Sequence, residues 1–102
     1  MVNKIGDADF NDKININKRV IVDCYAEWCG PCKMLGPIME EVASEHTNCD
    51  FYKLNVDEAN VIPRKYGIMS IPTILIFENG ELKKQLVGFR NKAELIDEIN
   101  NL

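Results

Sequence analysis

The chain of 102 residues has no long apolar run. Its longest, Ile74 to Phe77, falls far short of the roughly 20 residues that cross a bilayer. It has no basic cluster either. The twelve Lys and Arg residues are scattered, with Arg64-Lys65 and Lys83-Lys84 the densest pairs, and the formal net charge is −4. Phosphate backbones need a clustered basic footprint, so nucleic acid is not expected as a partner. Met1 to Lys4 leads into Asp7 and Asp9 rather than into an apolar signal core, so the expected location is the cytoplasm. In that compartment thiols stay reduced, so the even count of four cysteines does not by itself indicate two bridges. Repeats, low-complexity tracts and linkers are also missing, and the expectation is one domain over residues 1–102. With 46% hydrophobic and 27% charged residues, the composition is that of a globular protein able to bury a core without metal or disulfide support.

In chain order, Val2 to Ile5 is expected as a short edge strand, and Asp7 as the cap of a helical segment that buries Phe10 and Ile14. Arg19 to Ala26 has the unalternating β-branched character of a strand covered on both faces. From Lys33 to His46, Met34, Leu35, Ile38, Met39, Val42 and Ala43 recur at helical spacing. Pro37 inside that helix predicts a kink rather than a break. Phe51 to Val56 is the next strand, and Val61 to Tyr66 a short helix closed by Gly67. Thr73 to Phe77 and Leu82 to Val87 flank Asn79-Gly80, the pair favoured in type I′ hairpins. Asn91 with Glu94 three residues on opens a last helix whose buried stripe is Leu95, Ile96, Ile99 and Leu102. The order implies a mixed α/β sheet, parallel at first with an antiparallel edge, and helices on both faces.

Two features of this chain call for chemistry. Trp28-Cys29-Gly30-Pro31-Cys32 places two thiols at a strand-to-helix junction. A pair so close constrains an unfolded chain little, so its uses are redox exchange or half of a metal site. Cys29, Cys32, His46 and Cys49 form a conceivable zinc set, but a helix from Lys33 to His46 holds its ends roughly 20 Å apart. The second feature is Asp23, a carboxylate inside a buried strand. It either reaches solvent at the strand end or is desolvated, with its pKa raised toward neutrality.

Val22-Asp23, Ala26 to Met34, Lys53 to Asp57, Lys65 to Ile68, Ile71-Pro72-Thr73, Asn79-Gly80 and Val87-Gly88 together resemble the thioredoxin family across nearly the whole chain. The resemblance implies a sheet of about five strands flanked by four helices. It also implies reduction of protein disulfides by dithiol-disulfide exchange, and re-reduction by a thioredoxin reductase that draws on NADPH or ferredoxin. No cofactor beyond the Cys29-Cys32 pair and no metal is implied, and the expected form is a monomer. The chain departs from the family pattern at Cys24-Tyr25, Gly36 and Ser70, and its first strand is short. A binding-only member of the same fold is the second alternative; the intact dithiol, Asp23 and Pro72 oppose it.

At a helix start, Cys29 faces unpaired N–H groups that favour a thiolate, which makes it the attacking thiol; Cys32, a turn further in, resolves. By resemblance Asp23 takes the proton from Cys32 and Lys53 modulates its charge. By resemblance too, the Ile71-Pro72 bond is cis and leaves Ile71 free to pair with an extended substrate segment. Trp28, Gly30, Pro31, Gly88 and Phe89 complete an uncharged docking rim. Pro31 lacks an N–H and so withholds one donor from a thiolate, which predicts a reductant rather than an oxidant. Tyr66 and Phe77 are expected in the core. Cys24 and Cys49 are expected as inert free thiols, with Cys24 on the face of the sheet opposite Asp23.

Overall fold

A computed structural model describes residues 1–102. The elements run β1 (Asn3–Ile5), α1 (Phe10–Ile14), β2 (Arg19–Tyr25), α2 (Gly30–Glu45), β3 (Cys49–Asn55), α3 (Val61–Lys65), β4 (Thr73–Glu78), β5 (Glu81–Val87) and α4 (Lys92–Asn100). The strands form one sheet in the order β1-β3-β2-β4-β5. β1, β3 and β2 are parallel, β4 runs antiparallel to β2, and β5 antiparallel to β4. The expected mixed sheet with four helices is therefore the observed one.

Both faces of the central strands are covered, which is why β2 and β4 are apolar without alternation. Ile21, Ile74 and Ile76 point to one face and pack with Leu35, Met39 and Val42 of α2 and with Leu95 and Ile99 of α4. Val20, Val22, Cys24, Leu75 and Phe77 point to the other and pack with Phe10 and Ile14 of α1 and Ile62 of α3. Phe10, Tyr66 and Phe77 meet pairwise at 5.8 Å between ring centroids. Cys24 and Asp23 thus face opposite sides, as the period of two requires.

The hairpin forms at Asn79 and Gly80, with φ of 53° and 82°, the left-handed pair that a type I′ turn needs. Pairing jumps from Ile76↔Lys84 to Phe77↔Leu82, leaving Lys83 as a bulge. α4 opens with a complete capping box: Asn91 Oδ1 accepts from the Glu94 N–H, and Glu94 Oε1 accepts from the Asn91 N–H.

Three expectations need correction. α2 begins at Gly30, not Lys33, because Pro31 fits the first turn of a helix, where its missing N–H has no intrahelical partner to lose. As expected, the helix runs through Pro37 without a break. Asp7 does not cap α1, whose N-cap is Asp9 with no side-chain bond. The Asp7 carboxylate instead accepts from the N–H groups of Asn60, Val61 and Ile62 at the start of α3. Leu102 lies beyond the end of α4 and is exposed, so the buried stripe is Leu95 and Ile99 with Ile96 half-buried.

Candidate functional site

Cys29 is the N-cap of α2 and Cys32 lies in its first turn. Their sulfurs are joined in a disulfide, with 5.2 Å between Cα atoms, while Cys24 and Cys49 are free. A cap residue turns its side chain back toward the open N–H groups of the first turn. Cys29 Sγ accordingly lies 3.3 Å from the Cys32 nitrogen. Pro31 occupies the position before Cys32 and offers no N–H. Gly30 and Pro31 are exposed, whereas both sulfur-bearing residues are buried at 5% exposure.

Asp23 lies on β2 beneath this helix start and is 4% exposed, so the reading in which it reaches solvent is not the observed one. Its Oδ1 has no protein hydrogen-bond partner. Burial pushes its carboxyl up to about 7, and the nearby Lys53 ammonium works in the opposite direction. The parallel pairing of β2 with β3 sets Asp23 beside Lys53 in register. Asp23, Lys53 and Cys32 all line one cavity of about 180 Å³, together with Tyr25 and Gly36. The Lys53 Nζ sits 6.0 Å from the centre of the Tyr25 ring, at the edge of cation–π range.

A third element closes the site from the side. The Ile71-Pro72 bond is cis, and the Ile71 carbonyl oxygen lies 3.8 Å from Cys29 Sγ. The turn before β4 is held by Thr73 Oγ1, which donates to the Ser70 carbonyl at 2.6 Å. Gly88, at φ 97°, donates its N–H to the Pro72 carbonyl at 2.8 Å. This brings the β5–α4 loop against the proline. Pro72, Gly88 and the dithiol therefore come together. Phe89 is only half on this rim, since it is part-buried against the α2–α4 core.

Trp28 is 71% exposed, and its Nε1–H donates to Asp57 Oδ2 at 2.8 Å. No spacing in the sequence points to that contact, and it corrects the picture of an uncharged rim: a carboxylate borders the tryptophan. Cys24 is buried, and burial, with Asp23 adding to it, pushes its thiol up to about 12. Cys49 is raised too. Burial is the larger cause there, although Arg19 and Lys18, basic neighbours in space rather than in sequence, oppose it.

The four residues of the conceivable zinc set are not brought together. Cys29 caps one end of the 16-residue α2 and His46 the other, roughly 25 Å away at about 1.5 Å per residue. No group of three or more His, Cys, Asp or Glu residues is placed to share an ion. No helix is long and apolar enough to cross a membrane.

The family model named Thioredoxin matches residues 1–101. A thioredoxin of Mycoplasmoides gallisepticum is 48% identical over 88 residues, covering 86% of this chain and 88% of that protein. One of Rickettsia typhi is 46% identical over 102 residues, covering 98% and 97%. Among solved structures, a Plasmodium falciparum thioredoxin superposes with a TM-score of 0.90 at 38% identity, covering 97% of each chain. With a buried, disulfide-joined cysteine pair at a helix start and this likeness over nearly its full length, the chain belongs to the thioredoxin family and is a thiol-disulfide oxidoreductase.

Proposed function

We propose that the protein reduces disulfides in other proteins, with Cys29 attacking and Cys32 resolving, and that a thioredoxin reductase returns the Cys29–Cys32 disulfide to the dithiol. The observation that carries this order is the position of Cys29 as the N-cap of α2. The helix start stabilises a thiolate there, and the thiolate is the nucleophile in exchange. Its sulfur attacks one sulfur of the substrate disulfide, forms the mixed disulfide and expels the other sulfur as a thiolate. Cys32 then loses its proton to Asp23 through a water in the cavity they share, which is roomy enough to hold one. The Cys32 thiolate attacks Cys29 Sγ, re-forms the intramolecular disulfide and releases the second substrate thiolate. A carboxyl held near 7 suits a group that must accept and return a proton near neutral pH. Lys53, across the same cavity, limits how far burial raises it.

The substrate segment lies extended against Ile71 and cis-Pro72, with Trp28, Gly30, Pro31, Gly88 and Phe89 around it. Backbone pairing of this kind reads little of the side chains, which suits a reductant with many clients. The protein acts as a monomer in the cytoplasm, without metal or added cofactor. Both faces of its sheet are already covered by its own helices, and two of its four thiols are free.

The test is reduction of insulin disulfides driven by dithiothreitol, then by a thioredoxin reductase in its place. The parent protein accelerates both, and Cys29→Ser returns the rate to that without protein. Full activity in Cys29→Ser would overturn the proposal.

A further inference from the structure

The loop that carries Gly88 and Phe89 is held from both sides. On one side the Gly88 N–H is bonded to the Pro72 carbonyl. On the other, one nitrogen of Arg90, Nη1, faces three successive carbonyls: Val87 O at 3.0 Å, and Gly88 O and Phe89 O at 3.4 Å each. The guanidinium is itself anchored. Its Nε lies 3.9 Å from Glu98 Oε2 on α4, and Glu98 Oε1 accepts from Lys84 Nζ on β5 at 2.7 Å. Lys84 also donates to the Glu98 carbonyl at 3.1 Å. A chain of charge thus runs from β5 through α4 to the loop, and the rigid, planar guanidinium of Arg90 reaches Glu98 through Nε and the loop carbonyls through Nη1 at once, which the single nitrogen of a lysine cannot do.

We propose that Arg90 is a positioning residue for substrate docking: it holds the Val87–Phe89 carbonyls on the side away from the incoming chain and so fixes the loop against cis-Pro72. The inference rests on the reading that the substrate docks across Pro72 and Gly88. Arg90 touches neither sulfur, so its loss leaves exchange chemistry intact. The cost falls on association, because a loosened loop must be ordered at the moment of binding.

The experiment compares steady-state reduction of insulin with reduction of a small aromatic disulfide that needs no docking groove, for the parent, Arg90→Ala, Arg90→Lys and Phe89→Asp. Arg90→Ala is expected to raise KM for insulin about three- to tenfold, the range set by ordering a few groups on binding. Its kcat for insulin and its rate on the small disulfide stay at the parent's values. Arg90→Lys, which keeps the charge but not the fork, restores part of the loss. Phe89→Asp tests the surface itself and raises KM. An unchanged KM in Arg90→Ala with a raised one in Phe89→Asp overturns the role of Arg90 and leaves the docking surface standing. Unchanged KM in both overturns the docking surface and this inference with it. Equal losses on both substrates, or full restoration by Arg90→Lys, assign the effect to stability or to net charge and also overturn it.

Discussion

Between pH 3.8 and about 7 the folded chain holds a proton on Asp23 that the unfolded chain has released. Stability therefore falls as pH rises through that window, by about 4 kcal/mol once both values are passed, since each tenfold difference in proton affinity between the two states is worth about 1.4 kcal/mol. Asp23→Asn removes this dependence. Urea midpoints measured from pH 4 to 8.5 are expected to rise in the variant relative to the parent as pH increases, with the gap closing toward pH 4; parallel curves would contradict the buried carboxyl. The same residue scale bears on redox direction. Cys29 receives the Cys32 N–H, but position 31 offers none. Pro31→His adds a donor near the sulfur and is expected to shift the equilibrium with a glutathione couple toward a more oxidising protein; a ratio no different from the parent's would sink that account. That Asp23 needs an explanation was legible in the sequence, because a carboxylate interrupts a β-branched run; whether it reaches solvent was not, and its 4% exposure decides that. Asp57 as the partner of Trp28 was not, since the two are 29 residues apart and no local spacing links them.

Helix ends show the same division between local and tertiary causes. The Asn91–Glu94 box is closed within one turn, so its spacing disclosed it. Asn91→Ala is expected to cost about 1 kcal/mol in urea unfolding. Asp7 lies more than fifty positions from the three N–H groups that it accepts from, and a cap supplied from so far away leaves no sequence signature. Those bonds hold its carboxyl below the usual range, so its contribution is present above pH 3.8 and is lost as pH falls through the lowered value. Asp7→Ala is expected to lower the unfolding midpoint at pH 7 and to speed amide exchange at Asn60, Val61 and Ile62. That difference from the parent should fade in acid; unchanged exchange at these amides would contradict the cap. The onset of α2 at Gly30 was hidden for a related reason: Gly-Pro is turn punctuation in most contexts, yet Pro in a first helical turn is favourable.

At the scale of the whole molecule, the site lies at the carboxyl ends of the parallel strands β2 and β3, where open α/β sheets place their ligands. There the start of α2, Asp23, Lys53 and the turn before β4 converge. The element types were legible from periodicity. The strand order β1-β3-β2-β4-β5 was not derivable from spacing, because it depends on which crossover each helix makes. The resemblance to the thioredoxin family supplied the fold and the grouping of Ile71-Pro72 with the dithiol, contacts that separate by 42 positions along the chain. The ordered use of two thiols is the central claim, and trapping tests it most directly. Cys32→Ser, incubated with a cell extract and analysed by non-reducing electrophoresis and mass spectrometry, is predicted to accumulate mixed disulfides joined through Cys29. No adducts, or adducts carried by Cys24 or Cys49, would contradict it.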